Sequence, residues 1–283
     1  MRPNDLILKE IGQAVGYKSL SRYKHRGDFI LHGIDLTGKR VLDVGCGPGA
    51  WCFWSVLNGA SFAQGLEPEA AGSSPGMVGT FQGVAKRYGL ETKVSCLPAK
   101  LEDFNSDQKF DIAISYASIN HMDESAVQRL HVDPSAVTIY LEKLAHLNTL
   151  LQPGADVIVV DCGRFNLWNT FGMKNPLIRT IEFQKHQEPE VWIRLFEEAG
   201  YTYRDLRWSP LYPFGWATMN RFAQVLTMSE FTLRFQTSRE VNGLDIGAIA
   251  HGNRPKLIKE VDLDTRVAIS LDPNGYLGAR VKA

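Results

Sequence analysis

Three glycines at alternate positions, Gly45, Gly47 and Gly49, follow a short apolar run that contains an acid, Asp43. Glycine lets the backbone approach a ligand at distances where any Cβ would clash. Backbone amides, together with the start of a following helix, favour a carboxylate or a phosphate nearby. A second acid, Glu67, ends the next apolar run, and a carboxylate there can accept two hydrogen bonds from a ribose diol. The pattern predicts a nucleotide-binding loop.

The glycine loop by itself fits two kinds of ligand. It satisfies the relaxed dinucleotide fingerprint G-x-G-x-x-A, with Glu67 at a suitable separation to meet a ribose. Asp43 favours the other kind, because a pyrophosphate gains nothing from an anion at this point whereas a cationic group does. The residues therefore favour a ligand with both an ammonium group and a ribose, and NAD(P) stays the alternative.

Two histidines are candidates for moving a proton. His121 follows the fourth predicted strand, and His186 lies in an irregular polar stretch. Either imidazole could take a proton from a hydroxyl nucleophile, His121 being the first candidate and His186 the second. The alternative is a histidine that closes the pocket through backbone hydrogen bonds. The seven histidines include no H-x-x-x-H pair, so no metal site is predicted and the expected chemistry is metal-independent.

Strands and helices must position these side chains, and they alternate along the first two thirds of the chain. Alternation of this kind predicts βαβ units and a mainly parallel sheet, with ligands at the carboxyl ends of its strands. Gln152-Pro153-Gly154 reads as a turn before the fifth strand. The predicted strands are residues 40–44, 61–66, 92–97, 110–115, 155–160, 201–208 and 231–235, and the predicted helices are 50–57, 79–88, 136–150 and 189–199.

Composition excludes several classes of protein. The 283 residues include 31 basic and 31 acidic side chains, so a uniformly basic nucleic-acid binder is not expected. No apolar run approaches the ~20 residues that span a bilayer. The four cysteines contain no C-x-x-C pair, which argues against a zinc knuckle or a disulfide framework. We expect a soluble cytoplasmic protein with a small-molecule partner, no membrane span and no nucleic acid.

Taken in order, these segments resemble the class I S-adenosylmethionine-dependent methyltransferases. The resemblance is specific over residues 38–162 and looser to about 237. It implies a Rossmann-like, doubly wound α/β sheet of seven strands with one antiparallel strand, which residues 231–235 would supply. The segments that carry it are Val41-Leu42-Asp43-Val44-Gly45-Cys46-Gly47-Pro48-Gly49, Gly65-Leu66-Glu67-Pro68, Leu101-Glu102-Asp103, Phe110-Asp111-Ile112-Ala113-Ile114-Ser115 and Leu150-Leu151-Gln152-Pro153-Gly154.

The resemblance also implies a role for each matching residue toward S-adenosylmethionine. The three loop glycines would line the methionine part, Asp43 would hold the ammonium and Glu67 the ribose hydroxyls. The Leu101 amide and Glu102 or Asp103 would meet the adenine edge. Lys100 departs from the family pattern, since many relatives have an aspartate there. The remaining implied contacts, beside the sulfonium, come from Ser115, Tyr116 and Ala117.

The domain organisation follows from the same segments. We expect an N-terminal cover over residues 1–38, a methyltransferase domain over 39–237 with a lid at about 163–189, and a C-terminal extension over 238–283 with a β-hairpin. The predicted function is methyl transfer to a small-molecule or sugar-like acceptor, with a hydroxyl as the expected nucleophile, by in-line displacement. The alternatives are an NAD(P)-dependent oxidoreductase and a nucleotide-binding protein without turnover. A nucleic-acid methyltransferase is a lesser option.

Overall fold

The computed structural model describes residues 3–69, 74–175, 181–210 and 224–238. These residues form a seven-stranded sheet whose strands lie in the order β3-β2-β1-β4-β5-β7-β6. The strands are β1 (Arg40–Val44), β2 (Phe62–Leu66), β3 (Val94–Leu97), β4 (Phe110–Tyr116), β5 (Leu151–Cys162), β6 (Tyr201–Trp208) and β7 (Glu230–Thr237).

Eight α-helices in the described ranges surround this sheet. They are α1 (Pro3–Ala14), α2 (Leu20–Ile30), α3 (Ala50–Leu57), α4 (Met77–Arg87), α5 (Glu124–Arg129), α6 (Pro134–Thr149), α7 (Leu167–Thr170) and α8 (Pro189–Glu198). Short 3-10 turns lie at Leu101–Asp103, Ile119–His121 and Phe183–Lys185. No described helix is long and apolar enough to cross a bilayer.

The sheet is mixed, as the sequence predicted. Strands β1 to β5 pair in parallel, whereas β7 runs antiparallel to both of its neighbours. The predicted antiparallel strand at residues 231–235 is confirmed and extends over Glu230–Thr237. The strand order reverses direction between β1 and β4, and in open α/β sheets such a switch point opens a crevice at the carboxyl ends of the strands.

Alternating side chains of the central strands build two hydrophobic cores, one on each face of the sheet. Val41 belongs to the core that includes residues of α1, α2, α3 and α4, while its neighbour Leu42 belongs to the core that includes residues of α5, α6 and α8. Strands buried on both faces need near-continuous apolar sequence, which β1 and β4 have. The doubly wound arrangement predicted from the sequence is therefore confirmed.

One predicted segment differs from the structure, and another lies outside the residues that the structure describes. The predicted turn at Gln152-Pro153-Gly154 is wrong, because these residues belong to β5. The β4–β5 register shifts between Phe110 and Ile112, and Gly154 adopts a φ of +78°, so an irregularity in the ladder accommodates the proline. The predicted C-terminal hairpin lies outside the described residues.

Candidate functional site

A cavity of about 530 Å³ opens at the carboxyl ends of β1, β2 and β4, where the strand order reverses. Six of the predicted site residues line it. They are Gly45, Gly47, Glu67, Leu101, Glu102 and His121. We call this space the first cavity.

The glycine loop borders the first cavity in a conformation that only glycine adopts readily. Gly45, Gly47 and Gly49 have φ angles of +71°, +52° and +92°. A Cβ at Gly45 would lie 2.4 Å from Ser118 Cβ, and one at Gly49 would lie 2.3 Å from the Phe81 ring. A Cβ at Gly47 would meet no atom within 4 Å. Gly47 therefore leaves open space beside the cavity, whereas the other two glycines permit close packing.

Glu67 holds the loop and faces the first cavity at the same time. Its Oε2 accepts a hydrogen bond from the Gly47 amide at 2.8 Å, and its Oε1 accepts one from the Glu69 amide at 3.0 Å. The residue is buried, and each carboxylate oxygen has a further lone pair. Glu67 can thus accept hydrogen bonds from the hydroxyl groups of a ribose. This capacity and the open space at Gly47 fit the predicted nucleotide.

Asp43 lies beneath the loop and does not line either cavity in the described structure. It is fully buried, its Oδ2 is 3.6 Å from Cys52 Sγ, and its Oδ1 has no hydrogen-bond partner among the described residues. Burial raises the pKa of Asp43 to about 7. Its contact with an ammonium group stays a prediction, and Gly49 and Ser115 likewise lie behind the cavity walls.

The predicted adenine contacts lie on the 3-10 turn Leu101–Asp103 that follows β3. Leu101 and Glu102 line the first cavity, as does Lys100, the residue that departs from the family pattern. Glu102 Oε1 accepts a hydrogen bond from Lys143 Nζ of α6 at 2.6 Å. Burial alone would raise the pKa of Glu102, but hydrogen bonds from Lys143 and from the backbone, together with the charges of Lys143 and Lys100, outweigh burial and hold the pKa below its usual value. The carboxylate is therefore engaged by α6, and its contact with adenine stays a prediction.

The end of β4 separates the first cavity from a second one of about 390 Å³. Ala117, directly after the strand, has a φ of +50°, a strained conformation for a residue other than glycine. Ala117 and His121 line both cavities, whereas Tyr116 lines only the second. Ala117 and His121 therefore form the boundary between the cavities. A ligand in the first cavity would contact a ligand in the second cavity at this boundary. The predicted place of Tyr116 beside a sulfonium stays a prediction.

His121 lies at this boundary and is held by a carboxylate. Its Nδ1 is 2.7 Å from Glu124 Oε1, and Lys185 Nζ is 2.9 Å from the other oxygen of Glu124. These hydrogen bonds lower the pKa of Glu124, with the Lys185 contact as the larger cause. The carboxylate thus stays charged and favours a proton on Nδ1, which leaves Nε2 as the proton acceptor.

His186 lines the second cavity and has a more buried carboxylate partner. Its Nδ1 is 2.8 Å from Asp161 Oδ1 at the end of β5. Trp192 Nε1 donates to the other oxygen at 3.1 Å, and the Cys162 amide donates to Oδ1 at 2.8 Å. Asp161 is 1% exposed, so water does not screen its carboxylate. The three hydrogen bonds hold that carboxylate in place. This arrangement can orient His186 with Nε2 free to accept a proton.

The sequence did not assign a role to Asp161. Its position at the carboxyl end of a buried parallel strand could have indicated a role, because ligands bind at that edge of the sheet. Its contact with His186 joins residues 25 positions apart, however, and depends on how the segment before α8 folds back. In the described ranges no group of three or more His, Cys, Asp or Glu side chains is arranged to hold a metal ion.

A seven-stranded sheet in the order β3-β2-β1-β4-β5-β7-β6 with β7 antiparallel, a glycine loop after β1 and an acid after β2 is the arrangement of a class I methyltransferase domain. The family described as "Methyltransferase domain" matches residues 18–206. The chain belongs to this family, and S-adenosylmethionine is the cofactor of the domain. Family membership decides against the NAD(P) alternative that the glycine loop alone left open.

Solved structures share the fold at low sequence identity. An S-adenosylmethionine dependent methyltransferase from Listeria monocytogenes is 13% identical, with a TM-score of 0.52 over 77% of this chain and 99% of that chain. The [4+2]-cyclase SpnF is 16% identical, with a TM-score of 0.54 over 83% of this chain and 92% of that chain. The fold thus occurs in proteins named for different reactions.

Curated relatives match over a shorter segment. The tRNA U34 carboxymethyltransferase of Marinobacter nauticus is 35% identical over 92 residues, which are 32% of this chain and 26% of the relative. The same enzyme from Klebsiella pneumoniae is 31% identical over 90 residues. The match spans about a quarter of each relative's length.

Proposed function

We propose that this protein transfers the methyl group of S-adenosylmethionine, held in the first cavity, to a hydroxyl of a small-molecule or sugar-like acceptor in the second cavity. The observation that carries the proposal is the meeting of the two cavities at Ala117 and His121. Two histidines with carboxylate partners line the second cavity, and a hydroxyl nucleophile needs such a base.

The residues have three tasks in this reaction. When bound, S-adenosylmethionine supplies a methyl group already activated on a sulfonium. The glycine loop and Glu67 hold the nucleotide, and the walls of the second cavity align the acceptor oxygen with the methyl carbon. The acceptor oxygen would take the methyl group as the sulfur–carbon bond breaks, and Nε2 of His121 or His186 would take the hydroxyl proton. Positioning of this kind supplies much of the rate of an in-line displacement.

Each histidine has a separate argument in its favour. His121 lines both cavities, so it lies closer to the point where the methyl group would move. His186 has the more buried partner, since Asp161 accepts from His186, Trp192 and the Cys162 amide. Substitution to glutamine keeps a polar side chain but removes the basic nitrogen. We expect kcat to fall 10²–10⁴-fold when the histidine that acts as the base is replaced by glutamine.

Two observations support a small-molecule acceptor: the charge of the chain and the size of the second cavity. The tRNA-modifying relatives match only about a quarter of their own length, and this chain has equal numbers of acidic and basic residues. A cavity of about 390 Å³ is in the range that takes a small ligand.

The test combines cofactor binding with an acceptor screen. Calorimetric titration with S-adenosylmethionine, S-adenosylhomocysteine and NAD should show micromolar binding of the first two, lost in Glu67→Ala. Transfer of a tritiated methyl group is then measured to sugars, catechols, amines, carboxylic acids and bulk tRNA. Methylation of hydroxyl compounds supports the proposal. Labelling of tRNA alone would overturn the acceptor class, and binding without any methylation would favour a nucleotide-binding protein without turnover.

A further inference from the structure

Asn120 lines the second cavity and is a buried amide to which no described residue offers a hydrogen bond. It lies on the 3-10 turn Ile119–His121 that follows β4, and 1% of its surface is exposed. Neither its Nδ2 nor its Oδ1 has a hydrogen-bond partner among the described residues. Buried polar groups are nearly always paired, so an amide with two free atoms beside a cavity indicates a ligand.

The charged groups that line the second cavity differ from Asn120 because they already have ion-pair partners within the protein. Arg26 contacts Glu230, and Lys185 contacts both Glu124 and Glu182. A carboxylate, phosphate or ammonium group entering the cavity would have to compete with these ion pairs. Asn120 supplies a donor and an acceptor that carry no charge, so it favours an uncharged partner.

We propose that Asn120 determines acceptor specificity by binding a hydroxyl next to the one that is methylated. The side-chain oxygen would accept a hydrogen bond from one hydroxyl of a vicinal diol, and the side-chain nitrogen would donate to the other. Asn120 precedes His121, so the residue that binds the diol is adjacent in sequence to one candidate base. This inference rests on the proposed function and narrows its acceptor to uncharged molecules with adjacent hydroxyls, whether sugar or catechol.

The first test needs no acceptor, because an unpaired amide should not stabilise the free protein. Asn120→Leu replaces it with an apolar side chain that has the same branched shape and the same number of heavy atoms. Asn175→Leu is the matched control, since Asn175 is equally buried and its Nδ2 donates to the Thr227 carbonyl at 2.7 Å. We expect the melting temperature of Asn120→Leu to equal or exceed that of the wild type, and that of Asn175→Leu to fall. A fall in Asn120→Leu as large as in the control would show a structural amide and overturn the inference.

The second test measures methyl transfer with defined probes. Methyl α-D-mannopyranoside and catechol carry adjacent hydroxyls, whereas cyclohexanol has one hydroxyl and benzoate has a charge. We expect transfer to at least one diol, with the preferred diol identifying its source as sugar or catechol. Asn120→Leu should lower kcat/KM for that diol at least tenfold, mainly through KM, with the affinity for S-adenosylhomocysteine changed less than twofold.

The possible failures are distinguishable. Methylation of a diol with unchanged kcat/KM in Asn120→Leu would overturn the role of Asn120 and leave the proposed function standing. Preference for cyclohexanol or benzoate over both diols would overturn the substrate class. Binding of S-adenosylhomocysteine without methylation of any hydroxyl probe would overturn the hydroxyl acceptor of the proposed function and this inference together.

Discussion

Folding alters the ionisation of Asp43, the acid buried beside the glycine loop. Burial raises its pKa to about 7, whereas an unfolded chain has an aspartate pKa of about 3.9. Between these values the folded protein keeps a proton that the unfolded chain has released, so the free energy of unfolding falls as the pH rises through this range. At higher pH the buried carboxylate is charged and the loss of stability is complete.

Asp43→Asn should remove this pH dependence. We expect the free energy of unfolding of the variant, relative to the wild type, to increase by about 2 to 3 kcal/mol between pH 5 and pH 8. Urea denaturation of both proteins without ligand at the two pH values measures it. Comparing the change with pH, rather than the difference at one pH, cancels the effect of the amide on the Cys52 contact. An equal difference at pH 5 and pH 8 would show that Asp43 ionises normally.

Gly47 and Gly49 should respond differently to alanine, although both have positive φ angles. Gly49→Ala places a Cβ 2.3 Å from the Phe81 ring, so strain and overlap together should lower the free energy of unfolding by about 3 kcal/mol. Gly47→Ala meets no atom and should cost about 1 kcal/mol. Because Gly47 lines the first cavity, this variant should instead bind S-adenosylhomocysteine about tenfold more weakly.

Chemical denaturation and calorimetric titration separate these two effects. The expected pattern is a loss of stability at Gly49 and a loss of affinity at Gly47. Equal affinity of Gly47→Ala and the wild type would mean that the nucleotide does not approach the loop at this glycine.

At the scale of elements, helix α2 contributes to the second cavity through Arg26. This side chain contacts Glu230 of β7 and donates to the Tyr116 hydroxyl of β4 at 2.9 Å from Nη2. Both charges are largely buried, and burial of a charge is costly unless it is paired. Helix α2 therefore forms part of the wall of the second cavity, and the N-terminal cover over residues 1–38 stays a prediction.

Arg26→Met should leave Glu230 buried without its cation and lower the free energy of unfolding by about 3 kcal/mol. The double variant Arg26→Met, Glu230→Met removes both charges and should recover most of that loss. Urea denaturation of the single and double variants measures the difference. A double variant as unstable as Arg26→Met alone would show that helix packing, and not the unpaired charge, is responsible.

The elements near the glycine loop could be predicted because their signals are local. The strand at residues 40–44 and the helix at residues 50–57 have the predicted bounds, since apolar runs and glycines mark their ends. The turn predicted at residues 152–154 was wrong because these residues form an irregularity inside β5, between the pairs that Leu151 and Asp156 make with β4. The contacts of His186 with Asp161 and of Arg26 with Glu230 span many residues, so no local pattern contains them.

At the scale of the whole molecule, the balance of charge bears on whether this chain binds nucleic acid through its phosphates. Each phosphate contact releases counterions, so such binding needs a surplus of basic side chains and weakens steeply as salt increases. This chain has 31 basic and 31 acidic residues. The two Lys and Arg side chains that line the second cavity in the described structure, Arg26 and Lys185, are paired with carboxylates of the protein.

We therefore expect bulk tRNA to bind no more tightly than about 10⁻⁴ M at physiological salt, the weak end of non-specific binding. Fluorescence anisotropy of labelled tRNA, repeated at 50 and 200 mM salt, measures affinity and its salt dependence. The tRNA-modifying relatives share with this chain a segment of only about a quarter of their own length, so the residues that recognise their tRNA need not lie in that segment. Micromolar binding that weakens by orders of magnitude over this salt range would contradict the prediction. Because each cation engaged by a phosphate adds to that slope, the slope would also give the size of the basic surface involved.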